Sequence, residues 1–177
     1  MVLTIATPES EADLDAVRAL CREYRLMLLD LGPTERRIVE TFYPEGKYEA
    51  MLARLGKLHS PPRGGLRLVR LSGEAVGCGM FHALAPGDAE IKRVYLSPAA
   101  RGRGAGRALM EALVAQCRAD GYRRILMDTG KPLRAAQALY DAMGFRRRGP
   151  YAEIPEFALP HMVFYEMALH APQNSGS

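Results

Sequence analysis

The sequence KRVYLSPAARGRGAGRALMEAL, residues 92–113, passes from a strand pattern through a glycine-rich turn into a helix pattern. Gly102, Gly104 and Gly106 lack the side chains that would screen the backbone N–H groups of this turn. The positive end of the following helix lies beside them. Arg101 and Arg103 add guanidinium groups that suit phosphate oxygens. The segment therefore predicts a backbone cradle for an anion, with a plain flexible turn as the alternative.

The glycine spacing limits which anion this cradle takes. It reads G-x-G-x-G, which has neither the G-K-[ST] of a P-loop nor the G-x-G-x-x-G of a dinucleotide-binding fold. The net charge of +4 agrees with an anionic ligand. No aromatic residues are interleaved with the arginines of 101–103 or 146–148, so we expect no nucleic-acid partner.

Patterns on both sides of this stretch predict an α+β fold. Upstream they indicate a strand at 2–7, a helix from Ser10 towards Gly32, a shorter helix at 46–56, and three strands over 66–98 joined by tight turns. Downstream they indicate a helix at 104–122, a strand at 123–130, a helix at 131–144, a short strand at 145–151 and a last strand at 161–169. The three consecutive strands favour an antiparallel meander over a doubly wound sheet.

The composition fits one domain. A chain of 177 residues with 48% apolar residues is long enough for a proper core, and we expect a single domain over 1–169 and a disordered tail over 170–177. No basic leader and no apolar run of membrane-spanning length is present, so we expect a cytoplasmic protein without a membrane partner. Cys21, Cys78 and Cys117 predict buried free thiols, and no spacing suggests a metal site.

Two motifs resemble those of the GCN5-related N-acetyltransferase (GNAT) family. They are VYLSP at 94–98 followed by RGRGAG at 101–106, and AQALYDAMGF at 136–145. Their order and spacing both match, and the resemblance extends over about 66–169. It implies a mixed, mostly antiparallel sheet that splays between its fourth and fifth strands, with helices on both faces and acetyl-CoA in the split.

The resemblance also implies the residues that bind acetyl-CoA. The pyrophosphate would lie on the turn formed by Arg101, Gly102, Arg103, Gly104, Ala105 and Gly106. The pantetheine would pair with the strand backbone of Val94, Tyr95 and Leu96. Many family members have an asparagine that helps to hold the pantetheine where this chain has Leu133. We expect no metal.

Acetyl transfer to an amine requires a polarised thioester carbonyl and a stabilised leaving thiolate. The resemblance implies the Val94 N–H for the carbonyl and Tyr140 for the sulfur. A phenol of pKa about 10 is a weaker acid than a thiol of about 8.5, so full proton transfer is uphill by roughly 2 kcal/mol. We expect Tyr140 to donate a hydrogen bond to the sulfur. The alternative is a tyrosine that only closes its helix over the core.

Acetyl transfer also requires a deprotonated amine, and a lysine-like amine is neutral in only about one molecule in a thousand at pH 7. Glu90 lies where the family often carries a carboxylate, and we expect it to take the proton through water. A plain strand-edge glutamate paired with Lys92 or Arg93 is the alternative. His82 is a competing base, although a lone histidine is more often structural.

The acceptor pocket is expected, by the same resemblance, between the first two helices and the loop before the last strand. Tyr43 and Tyr151 are candidate substrate-binding residues, and Glu153 and Glu156 would suit a cationic amine. We therefore predict an acetyl-CoA-dependent N-acetyltransferase that acts on a primary amine of a small molecule or peptide by direct attack in a ternary complex, as a monomer or homodimer. A non-catalytic acyl-CoA sensor is the alternative.

Overall fold

Seven strands form one mixed sheet in the computed structural model, which describes residues 1–169. They are β1 Leu3–Ala6, β2 Gly64–Leu71, β3 Glu74–Ala85, β4 Asp88–Leu96, β5 Arg124–Gly130, β6 Arg146–Arg148 and β7 Met162–Ala168. Their order across the sheet is β1-β2-β3-β4-β5-β7-β6. Neighbouring strands pair antiparallel except β4 and β5, which are parallel. The predicted α+β fold with a mostly antiparallel sheet is confirmed.

Helices cover both faces of this sheet. They are α1 Glu11–Leu29, α2 Pro33–Phe42, α3 Glu45–Ala53, α4 Leu55–Leu58, α5 Ala105–Ala119 and α6 Arg134–Ala142. Ser10 caps α1 by accepting a hydrogen bond from the Asp13 N–H at 3.1 Å. One buried cluster includes Val17 of α1 and Leu52 of α3, and a second, across the sheet, includes Leu109 of α5. The sheet therefore separates two apolar cores.

One helix differs from the sequence expectation. The sequence pattern ends the first helix at Gly32 and predicts the next helix only at 46–56, but α2 begins directly after Gly32, at Pro33. Proline at the first position of a helix has no N–H to leave unsatisfied and has a φ that suits the helix, so the same pair can end one helix and start the next. The helix predicted at 46–56 is divided at Arg54 into α3 and α4.

The sheet splits between β4 and β5. Their parallel pairing covers Asp88 with Arg124, Ala89 with Ile125 and Glu90 with Leu126, and then stops. β4 continues to Leu96 while paired with β3 alone among the described residues. Beyond Glu90 the backbone of β4 that faces β5 is therefore available to another molecule. This is the splay that the sequence predicted.

A β-bulge shapes β4 at the split. The pairing with β3 passes from Lys92 opposite Met80 to Tyr95 opposite Cys78, so two residues of β4 occupy the space of one. Arg93, in the bulge, has a left-handed φ of 51°. Its guanidinium donates hydrogen bonds to Met80 Sδ at 3.2 Å and His59 Nε2 at 3.1 Å. These contacts hold the bulge that precedes Val94.

Three further expectations concern the chain as a whole. Cys21, Cys78 and Cys117 are buried and free, as predicted. Within residues 1–169, no helix is both long enough and apolar enough to cross a membrane. The predicted tail at 170–177 lies outside the described residues.

Candidate active site

The glycine turn lies at the N-terminus of α5. Gly102 and Gly104 both have left-handed backbone, with φ of 73° and 74°. A Cβ atom added at either position would have no other atom within 4 Å, so that side of the turn is open. The first N–H groups of α5 have no intrahelical acceptor, and no side chain caps this helix. The turn thus has an open side and an uncapped helix N-terminus, and the anion cradle stays a prediction.

The other residues of the turn have different surroundings. Arg101 and Arg103 are exposed, and Arg103 Nε donates to the Ala99 carbonyl at 3.1 Å. Ala105 is buried. A Cβ at Gly106 would lie 3.4 Å from Leu96 Cδ1, so the turn packs directly against the end of β4. The cradle and the open edge of β4 are therefore neighbours.

The side chains of the three β4 residues expected to contact pantetheine alternate between the two faces of the sheet. Val94 and Leu96 pack against the core on the α5 side. Tyr95 is buried on the α1 side, where its hydroxyl donates to Glu23 at 3.3 Å. Their side chains are thus engaged on the two faces of the sheet. The backbone groups between β4 and β5 are what these residues offer a ligand.

Tyr140 is buried on α6 and packs edge-to-face against Tyr165, with 5.5 Å between ring centroids, and against Phe145. Burial raises the pKa of Tyr140 above its ordinary value, and nearby Tyr165 and Asp128 add to the shift. The phenol therefore keeps its proton at neutral pH. It can donate a hydrogen bond, but it is a poor source of a transferred proton.

Glu90 is the centre of a hydrogen-bond network. One oxygen, Oε1, lies 2.8 Å from His82 Nε2 and 3.6 Å from Lys92 Nζ. The other, Oε2, accepts from the Tyr151 hydroxyl at 2.7 Å. That hydroxyl also lies 3.3 Å from Asp128 Oδ2. The two candidate bases, Glu90 and His82, thus belong to one network, together with a second carboxylate.

The sequence interpretation missed Asp128. It lies on β5 two residues beyond the last pair with β4, on the same face of the sheet as Glu90. Burial raises the pKa of Asp128, Glu90 adds to the rise, and Lys92 opposes it. The detectable signal was an acidic residue inside the otherwise apolar strand ILMDT at 125–129.

The histidine beside Glu90 is a hydrogen-bond donor. Burial lowers the pKa of His82, and Glu90 only partly opposes this, so the ring is neutral near pH 7. The 2.8 Å contact then requires the hydrogen on Nε2, because a carboxylate has none to give. The ring stacks on His59, whose pKa is lowered by burial to about 4. Of the two cationic partners expected for Glu90, Lys92 is present beside it, whereas Arg93 contacts His59 instead.

A cavity of about 260 Å³ adjoins this network. Its walls come from α1, α2, the divergent ends of β4 and β5, and the loop at 152–154. Tyr43 and Glu153 line it together with Glu90, as expected, whereas Glu156 is exposed and not in the wall. Tyr151 is not among the lining residues, but its hydroxyl donates to Glu90, which is. Lys92 Nζ lies 6.0 Å from the centre of the Tyr43 ring.

Across the described part of the chain, no three His, Cys, Asp or Glu side chains are grouped as a metal ion would require.

The chain is similar to known proteins in sequence and in fold. A family model described as "Acetyltransferase (GNAT) family" matches residues 29–145. An IAA acetyltransferase of Azospirillum brasilense is 39% identical over 103 residues, which cover 58% of this chain and 66% of that protein. An uncharacterized N-acetyltransferase of Schizosaccharomyces pombe is 27% identical over 94% of this chain and 95% of its own length. The PaiA N-acetyltransferase of Thermoplasma acidophilum, solved with coenzyme A, has the same fold, with a TM-score of 0.70 and 15% identity over 95% of this chain and 99% of that one.

Proposed function

The chain belongs to the GNAT family of acetyltransferases, and we propose that it moves an acetyl group from acetyl-CoA to a primary amine. The amine attacks the thioester directly while both substrates are bound. The observation that carries this proposal is the split between β4 and β5, with the glycine cradle at one end and a carboxylate network beside a cavity at the other. That arrangement suits an anionic donor and a separate amine acceptor.

The donor end of the split fits coenzyme A. The open side of Gly102 and Gly104 and the free N–H groups of α5 would hold the pyrophosphate, with Arg101 and Arg103 beside it. The backbone of 94–96 would pair with the pantetheine. Leu133, where many family members have asparagine, borders the cavity and has no side-chain amide to offer the pantetheine. The backbone of β4 therefore carries the pantetheine contact.

Two groups assist the acyl transfer itself. The Val94 N–H, which follows the bulge at Arg93, would polarise the thioester carbonyl. Tyr140 would donate a hydrogen bond to the departing sulfur. Its raised pKa fits this role, because the phenol donates while it keeps its own proton, and the proton that the thiolate finally receives comes from the amine.

Glu90 is the proposed acceptor of the amine proton, and Asp128 is its partner. Both Glu90 oxygens already accept hydrogen bonds. A proton taken up there competes with these hydrogen bonds and can pass to another group. Tyr151 joins the two carboxylates: its oxygen can receive that proton while its own hydrogen passes to Asp128. The raised pKa of Asp128 makes it the better place to hold the proton.

The setting of the protein is part of the same proposal. Three buried free thiols favour a reducing compartment, and we place the protein in the cytoplasm. We propose one domain over 1–169 that acts as a monomer or homodimer on a small-molecule or peptide amine.

Initial-velocity kinetics test direct attack. With acetyl-CoA and amine varied together, a ternary complex predicts double-reciprocal lines that intersect. Parallel lines would instead indicate an acetylated enzyme and would contradict the proposed mechanism.

A further inference from the structure

We infer that the acceptor is a small amine with an apolar body and no carboxylate, an alkylamine or arylalkylamine. This inference rests on the proposed function, because it concerns the acceptor cavity of that reaction. Three features of the cavity carry this inference: its wall, the charged groups in that wall, and the loop before β7 that borders it.

The wall of the cavity is largely apolar. α1, α2 and the turn between them contribute the aliphatic and aromatic side chains of Tyr24, Leu28, Leu31, Ile38, Val39 and Phe42. Leu84, Ile154 and Met162 extend this surface on the other sides. Burial of an apolar acceptor against this wall is favourable. A polyhydroxylated acceptor would find few hydrogen-bond partners there. The body of the acceptor is therefore hydrocarbon.

The charged groups in the wall favour a cation. Glu35, Glu90, Asp128 and Glu153 contribute carboxylates, Lys92 is the lysine, and no arginine is among the residues that line the cavity in the described part of the chain. Lys92 Nζ lies 3.6 Å from Glu90. Although burial opposes the rise, the pKa of Lys92 is raised by Tyr43, Glu90 and Asp128 together. A substrate carboxylate at Lys92 would meet these two carboxylates as well. An amino acid would thus be repelled where an amine is attracted.

The loop before β7 forms one side of the cavity. At its start the Tyr151 hydroxyl is bound to Glu90, and further along the Phe157 ring lies 3.9 Å from the guanidinium of Arg37 on α2. The wall segment 152–154 is held between these two anchors. A polypeptide acceptor would need a path past this loop. The volume of about 260 Å³ is also just below the range of about 300 to 1,000 Å³ that is usual for ligand pockets.

Matched acceptors test the inference on the full chain. With saturating acetyl-CoA, kcat/KM is measured for n-hexylamine against 6-aminohexanoate, for 2-phenylethylamine against L-phenylalanine, and for a tetrapeptide that begins with alanine. We expect each amine to exceed its carboxylate partner and the peptide by about 10-fold or more, which corresponds to about 1.4 kcal/mol.

A pair of variants tests the wall. Ile38→Asn should raise KM for n-hexylamine about 5-fold or more, since it places an amide in the apolar surface. Leu26→Asn is the matched control, because Leu26 lies on α1, is 59% exposed and is not in the wall. Both variants should bind acetyl-CoA like the unchanged protein. An equal KM for the two variants would overturn the inference.

The failures can be told apart. Equal or better turnover of 6-aminohexanoate, phenylalanine or the peptide would overturn the acceptor class and leave the acetyltransferase proposal in place. Binding of acetyl-CoA without turnover of any of these amines would overturn the proposed function itself.

Discussion

At the scale of single residues, Gly104 links backbone conformation to ligand binding. Gly104→Ala should raise the Kd for acetyl-CoA about 10-fold or more, because a methyl group would enter the open side of the cradle. Gly121→Ala is the matched control: Gly121 also has a left-handed φ, of 85°, and open space for a Cβ. Both variants should lose about 1 kcal/mol of stability from backbone strain. Calorimetry that gave the two variants the same affinity would contradict the cradle.

Tyr140 can be compared with the tyrosine beside it. Tyr140→Phe should lower kcat by about 10 to 1000-fold with little change in acetyl-CoA affinity, because the hydrogen bond forms only as the sulfur departs. Tyr165→Phe is the control, since the buried Tyr165 hydroxyl has no hydrogen-bond partner among residues 1–169 and nearby Asp141 accepts from Arg147 instead. That change should leave kcat within about twofold. A kcat for Tyr140→Phe near that of the unchanged protein would exclude the role.

The carboxylate pair predicts a pH profile. Asp128 must be ionised to receive a proton, so kcat/KM should rise with pH through the raised pKa of this group. Glu90→Gln and Asp128→Asn should each lower kcat/KM at pH 7 by about 100-fold. Both should recover in part at pH 9 to 10, where more of the amine, of pKa about 10.4, is already neutral.

His82→Asn is the companion variant for this profile. Because His82 donates to Glu90 and takes no proton from the amine in this scheme, the variant should keep the shape of the profile at a somewhat lower rate. Unchanged profiles for both carboxylate variants, or a profile lost with His82 alone, would show the assignment of the base to be wrong.

At the scale of elements, Glu166 secures the edge strand β6. Its carboxylate accepts hydrogen bonds from Arg146, Arg148 and Arg124, and chiefly Arg146 lowers the pKa of Glu166. Glu166→Gln should cost about 1 kcal/mol at pH 7, a figure kept small because the Arg146 side chain is 79% exposed. The contribution is present above the unfolded-state pKa of about 4.3 and is lost as pH falls through the lower folded-state pKa.

Urea unfolding at two pH values measures this contribution. Glu111→Gln is the control, since Glu111 forms an exposed pair with Arg107 on α5 and should matter by less than about 0.5 kcal/mol. A difference between Glu166→Gln and the unchanged protein that persists undiminished below pH about 3 would contradict the electrostatic explanation.

Elements were predictable where one local pattern decided them. The β2–β4 meander, α5 and the split at β4 follow from alternation, helical spacing and the two motifs, and the structure has them. α2 was not predictable in the same way, because the pair Gly32 and Pro33 is equally a stop and a start. The bulge at Arg93 depends on contacts with His59 and Met80, which are distant in sequence.

At the scale of the whole molecule, the candidate site is assembled from elements that are far apart in the sequence. Glu90 could be proposed from its own strand, whereas Asp128 acquires its role only because β5 pairs beside β4 and then diverges. Tyr151 reaches both carboxylates from a loop whose path no local pattern specifies. The motifs therefore carry the prediction for the donor end of the site, whereas the acceptor end required the fold.

Release of free thiol from acetyl-CoA is the most direct test of the central claim. The purified chain is assayed with acetyl-CoA alone and with a panel of alkylamines, polyamines, aminoglycosides, amino acids and peptides. The account predicts thiol release that depends on an added amine and equals the acetylated amine formed, mole for mole. Acetyl-CoA that binds in calorimetry but releases no thiol with any member of the panel would contradict the account and favour an acyl-CoA sensor.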